Sequence, residues 1–173
     1  MRGIMPDTAM AIANEFLRKP GALGRLTQMQ LLKLTYIAHG WNLAVNGEPL
    51  VPERVEAWNY GPVIPDLYNH IRFNGNDPIT REIADSDSSV YFFYGEKPAH
   101  PKFLKAILSP QEKEVIDKVW NRYGKYSGFQ LSQLTHKQGT PWFETYFGPQ
   151  IKNKIIPNDL IRKHYIELAH RVA

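Results

Sequence analysis

Between Thr27 and Val45 apolar residues return every three or four positions, at Leu31, Leu34, Ala38, Trp41 and Val45. Leu32, Tyr36, Ile37 and Ala44 widen that stripe until little polar surface remains, which predicts a central helix covered on most sides. Thr27, with Gln30 three residues on, forms the T-x-x-Q capping box that opens the helix. Asn46-Gly47 closes it, since both residues tolerate the left-handed backbone of a C-cap. Pro49 and Pro52 then exclude helix, so the chain runs extended through Val55 and Ala57 into Trp58. Gly61-Pro62 reads as a turn, and Pro65 as the first residue of a helix carrying Leu67, Tyr68 and Ile71.

Elsewhere the pattern is also mostly helical. Asp7 is placed to cap a first helix whose Ala9, Ile12, Ala13, Phe16 and Leu17 form a clean amphipathic series ending by Pro20-Gly21. Ser109-Pro110-Gln111-Glu112 is a second capping box, followed by the buried-face residues Val115, Ile116, Val119, Trp120 and Tyr123. Ser127 with Gln130 starts a short helix to about Lys137, and Gly139-Thr140-Pro141 restarts the chain so that Trp142 and Phe143 begin another. A last helix from Asn158 carries Leu160, Ile161, Tyr165, Leu168, Ala169 and Val172. Thr80 to Ser89 is a polar loop, whereas Val90-Tyr91-Phe92-Phe93-Tyr94 reads as a strand able to pair with the segment around Val55 to Trp58. The expectation is a mostly α fold with a small β element (α+β). It would be a compact single-domain helical bundle, residues 1–173, with a two- or three-stranded sheet.

The run Leu-Thr-Gln-Met-Gln-Leu-Leu-Lys-Leu-Thr-Tyr-Ile-Ala-His-Gly-Trp (26–41), followed by Glu-Ala-Trp-Asn-Tyr-Gly-Pro-Val-Ile-Pro-Asp-Leu-Tyr (56–68), resembles the Panacea family of SocA-like and phage-associated antitoxin domains. The likeness continues through Leu131 to Trp142 and into the last helix, and the Trp58-to-Pro65 block is its most specific part. The resemblance implies a helical, non-enzymatic domain with no cofactor. Such a domain neutralises a cognate toxin by binding it directly or, in SocA-like members, by delivering it to a ClpXP-type protease.

Composition is that of one ordinary globular domain: 173 residues, 43% hydrophobic and 22% charged. Cysteine is absent, which excludes disulfides and thiol catalysis. No apolar run approaches the ~20 residues needed to span a bilayer, and Met1 to Met5 is too short for a secretory signal, so no membrane partner and a cytoplasmic location are expected. Twenty-one basic against 17 acidic residues leave a net charge of +4, weak support for a nucleic-acid partner. The chain also offers no length at either end for an added helix-turn-helix segment, so autoregulation through such a domain is not expected. The oligomeric state is left open.

Candidate chemistry is sparse. His164, Glu167 and His170 spread over about 120° of a helix, so they do not converge on one metal ion and are expected on a solvated face. His136 near Glu144 could do acid–base work, but no nucleophile motif or phosphate-cradling glycine loop accompanies it. It is expected to brace the Thr140-Pro141-Trp142 turn. Lys33, amid Leu31, Leu32 and Leu34, is expected to run its stem outward and reach water. Trp41 is expected in the core. Trp58, Asn59, Tyr60, Gly61, Pro62, Val63 and Tyr68 are the expected partner-binding set, with Thr27, Gln30, Trp41, His136 and Trp142 as its structural frame. A rigid turn with amphipathic rings loses little entropy on binding.

Two other function classes compete with toxin neutralisation. A winged-helix-like DNA-binding regulator would use Lys102, Lys105, Lys113, Lys118, Arg122 and Lys125, but Glu112, Glu114 and Asp117 interrupt that field. A small hydrolase using His136 or the last-helix cluster lacks a nucleophile. The resemblance, with no catalytic constellation beside it, favours the antitoxin reading.

Overall fold

The computed structural model describes residues 7–87, 95, 99–149 and 154–172. Within them lie seven α-helices and one small antiparallel sheet, a mostly helical α+β fold. Helix α1 spans Ala9–Leu17. Its cap is Thr8, not Asp7: the Thr8 hydroxyl oxygen accepts from the Ala11 amide at 3.3 Å, while the Asp7 carboxylate accepts from the Ile107 amide at 2.6 Å.

Helix α2, Gln28–Asn46, is the axis of the molecule. Both arms of its capping box are made, and Gly47 ends it at φ 77°. Every residue from Gln30 to Leu43 is buried except Trp41, because α1, most of the helices described below and one strand pack around it. The expected stripe drifts at its end: Trp41 is half-buried and Val45 is 66% exposed. Trp41 instead lies edge-on to Tyr165 of the last helix at 5.2 Å.

Strands β1 (Val55–Trp58) and β2 (Gly61–Val63) form a hairpin with Trp58 opposite Gly61 and Glu56 opposite Val63. The two-residue turn is therefore Asn59-Tyr60, and Gly61-Pro62, expected as the turn, belongs to the strand. Pro62 is tolerated because β2 is an edge strand whose proline need not donate. The other edge of β1 is taken by β3, Ile155–Ile156, giving the order β2-β1-β3. The strand expected at Val90–Tyr94 lies outside the described residues.

Helix α3, Pro65–Ile71, starts with its proline at N1 as expected. Two 3₁₀ turns, Arg72–Asn74 and Asp85–Asp87, punctuate the following loop. The buried Asn14 side chain ties that loop down, donating to the carbonyls of Ile83 (2.9 Å) and Leu104 (2.8 Å) and accepting from the Ile83 amide (2.8 Å). Helices α4 (Pro110–Tyr123), α5 (Gly128–His136), α6 (Pro141–Phe147) and α7 (Asn158–Val172) complete the bundle. Of the residues expected on the buried face of α7, Ile161 and Tyr165 are buried, Leu160 and Leu168 half-buried, and Ala169 exposed.

Gly40 explains how closely α7 approaches α2. A Cβ there would overlap the Tyr165 ring, so the missing side chain lets the buried tyrosine lie against the helix backbone.

Candidate functional site

The β1–β2 hairpin is held from three sides. Trp58 O accepts a hydrogen bond from Trp142 Nε1 of α6 at 2.7 Å. Asn59 Oδ1 accepts from the Tyr146 hydroxyl at 2.7 Å, and Asn59 O faces His136 Nε2 of α5 at 3.3 Å. The rings behind these contacts pack on one another: His136 lies 4.0 Å from Trp142, which stacks on Tyr146 at 4.8 Å. Trp58 meets Tyr68 of α3 edge-on at 5.1 Å and donates its indole N–H to Glu56 at 2.8 Å. A two-residue turn anchored this often is a preorganised surface, since little motion is left to lose on binding.

Exposure divides the expected contact set. Tyr60 is 74% exposed and Asn59 is exposed beside it. Trp58 and Tyr68 are half-buried, whereas Gly61, Pro62 and Val63 are buried and form the second strand of the hairpin, β2. The surface is thus the turn Asn59-Tyr60, and the glycine and proline are its support. Gly61 has φ 108°, a conformation that side chains rarely allow. A Cβ there would lie 2.6 Å from Lys33 Nζ and 3.1 Å from His136 Cε1.

Lys33 does not reach water. It is fully buried beneath the hairpin, and its ammonium donates to the Pro62 carbonyl oxygen at 3.1 Å. Burial pushes its pKa down to about 7, because a charge with little solvent and no carboxylate partner is costly. Among the described residues no Asp or Glu lies within ion-pair distance of it. The apolar neighbours on α2 were the signal that the stem has no outward path.

Beside the hairpin opens a groove of about 850 Å³. Met29, Leu32 and Lys33 contribute from α2, Trp58, Tyr60 and Val63 from the hairpin, and Tyr68 from α3. Tyr146 and Lys154 close it, with Lys154 Nζ 4.0 Å from the Tyr146 ring centre. Sequence reasoning missed Gln28, Tyr146 and Lys154 as members of this site; only the fold brings them to the hairpin.

The other candidates fare differently. Each His136 ring nitrogen faces a backbone carbonyl oxygen, Ser132 O at 2.6 Å and Asn59 O at 3.3 Å. His136 braces the hairpin turn as well as packing on Trp142, and Thr140 secures its own turn by donating to Thr135 O at 2.8 Å. On α7, His164 is half-buried, with its pKa lowered by burial, while Glu167 and His170 are exposed. Among the described residues no group of three or more His, Asp or Glu is placed to hold a metal. Along α4, Lys118 pairs with Glu114 at 2.7 Å and Asp117 pairs with Lys19, so carboxylates interrupt the basic row. No described helix is long and apolar enough to cross a membrane.

Known proteins resemble the chain across this site. The family model described as Antitoxin SocA-like, Panacea domain, matches residues 31–143, which include Lys33, the hairpin, His136 and Trp142. Antitoxin SocA of Caulobacter vibrioides (strain NA1000 / CB15N) is 34% identical over 146 residues, covering 82% of this chain and 71% of that relative. No solved structure matches.

Proposed function

The chain belongs to the SocA-like antitoxin, Panacea domain family, and from that premise we propose that it neutralises a cognate toxin protein by binding it directly. The docking face is the Asn59-Tyr60 turn with the adjoining groove, and neutralisation is steric, the bound antitoxin covering the toxin's functional surface. The observation that carries this reading is Tyr60: a large amphipathic ring, 74% exposed, on a turn that Trp142, Tyr146 and His136 hold rigid. Such a ring suits an interface anchor. A non-catalytic role and a cytoplasmic setting belong to the same proposal.

Co-expression with the products of neighbouring reading frames tests it. The chain alone should be harmless, should rescue growth from one such product, and should co-purify with it. If no neighbouring product forms a complex while the chain binds duplex DNA sequence-specifically, the regulator reading takes its place. Delivery to a ClpXP-type protease is the second route open to a SocA-like antitoxin. Toxin half-life with and without that protease separates the two: occlusion leaves it unchanged, and delivery shortens it only when the protease is present.

A further inference from the structure

A second pocket, of about 250 Å³, lies between α5, α7 and the turn that joins α5 to α6. It shares no lining residue with the groove beside the hairpin. Three tyrosines from three helices line it: Tyr36 of α2, Tyr123 of α4 and Tyr165 of α7. They are 2%, 9% and 4% exposed, yet none of their hydroxyls hydrogen-bonds another described residue and none is sealed from solvent. A buried phenol ordinarily finds a partner inside the protein, because an unmet hydroxyl costs free energy. Here the protein leaves three of them to whatever enters the pocket. The Tyr36 and Tyr165 rings meet edge-on at 6.3 Å. Burial raises the pKa of both above the ordinary phenol value, and Tyr36 and Tyr123 add to the rise at Tyr165, so these hydroxyls lie near one another and remain donors at neutral pH.

The exposed part of the lining is charged. Lys137 and Arg171 stand there with one carboxylate, Glu167, and neither cation is in an ion pair among the described residues. Two cations against one carboxylate leave the mouth net positive, and burial lowers the His164 pKa, so that imidazole adds no charge at neutral pH. Ile37, Leu134 and Leu168, buried or half-buried, make the aliphatic part of the wall. A volume of about 250 Å³ falls just below that of sites for drug-sized ligands, so the occupant is small.

We propose that this pocket binds a small organic carboxylate whose charged end meets Lys137 and Arg171 at the mouth, whose apolar middle packs on Ile37, Leu134 and Leu168, and whose far end carries a hydroxyl or carbonyl that bonds the tyrosine hydroxyls. The order of groups in the ligand follows the order of exposure in the lining. A carboxylate at the tyrosine end would be desolvated with no cation beside it, whereas at the mouth it keeps water and gains two cations. A purely apolar far end would leave the phenols unmet, which sets the preference for a polar one. The site is separate from the toxin-docking face, so it stands or falls independently of the antitoxin reading.

Three probes test the assignment by isothermal titration of the full chain: 4-hydroxybenzoate, which has both ends; benzoate, which lacks the hydroxyl; and 4-hydroxybenzyl alcohol, which lacks the carboxylate. The wild type should bind 4-hydroxybenzoate with a Kd of about 1 mM or tighter, as expected for so small a ligand. Each of the other two should bind about fivefold more weakly. Tyr36→Phe and Tyr165→Phe each remove only a hydroxyl that bonds no described residue, so both should fold. Either should weaken 4-hydroxybenzoate about fivefold while leaving benzoate nearly unchanged, a pattern that a merely disturbed pocket would not give. Lys137→Met, an exposed change, should weaken both acids about threefold and spare the alcohol. Absence of saturable binding by all three probes would overturn the proposal. So would equal affinity of the wild type and both tyrosine variants for 4-hydroxybenzoate, or an equal loss of benzoate and 4-hydroxybenzoate in those variants.

Discussion

Lys33 and Pro62 are joined by a hydrogen bond of 3.1 Å from the lysine ammonium to the proline carbonyl oxygen, which ties α2 to strand β2 of the hairpin. The bond links scaffold to surface, and it confines a charge to a place where water does not reach it. Its consequences for stability can be measured.

Burial lowers the folded-state pKa of Lys33 to about 7, from an ordinary value of 10.5 in the unfolded chain. Between those values the unfolded chain holds a proton that the folded chain lacks, so stability rises with pH across the window. The desolvation penalty is complete below about pH 7 and gone near pH 10.5. Lys33→Met should therefore be favoured over wild type most at pH 6, the difference shrinking by up to about 1.4 kcal/mol per pH unit above 7. Urea unfolding of both proteins at pH 6, 8 and 9.5 measures this; parallel pH profiles would show that the lysine is not desolvated.

Gly61→Ala should cost about 1–3 kcal/mol from backbone conformation alone, with a further penalty because the new methyl meets Lys33 and His136. Gly139→Ala is the control. Its φ is 82°, but a Cβ there meets nothing within 4 Å, so it should lose less stability than Gly61→Ala. Thermal unfolding of the pair separates strain from crowding, and equal losses would remove the close approach of Lys33 from the explanation.

Trp142→Phe keeps a ring against His136 and Tyr146 but deletes the N–H that reaches Trp58 O. An expected loss of about 1–3 kcal/mol reflects a carbonyl left without its donor. Trp41→Ala should destabilise by less than the ~3–5 kcal/mol of a fully enclosed aromatic, because its ring is half in water. Chemical denaturation decides both; a larger loss at Trp41 than at Trp142→Ala would reverse their assigned burial.

Much of the fold was legible in the sequence. The capping boxes at Thr27, Ser109 and Ser127 are all made, because a cap and its partner lie three residues apart and need no distant contact. Pro65 and Pro141 begin helices for the same local reason. What eluded sequence reasoning depends on tertiary packing. Asp7 yielded the cap to Thr8 because the Ile107 amide, a hundred residues away, engages its carboxylate. Gly61-Pro62 looked like a turn by composition, yet pairing with β1 draws it into a strand and shifts the turn to Asn59-Tyr60. Val63 was expected at the surface and is buried for that reason. Lys33 was expected to reach water, but the helices packed around α2 leave no path out.

Tyr60→Ala is the most direct test of toxin docking at the hairpin, because the ring is exposed and its loss should leave the fold intact. The measurement is the affinity of the variant for the co-purifying toxin, set beside its melting temperature. Binding weaker by at least about 1–2 kcal/mol, with the melting temperature unchanged, is the expected result. Wild-type affinity in a folded Tyr60→Ala protein would contradict docking at this face.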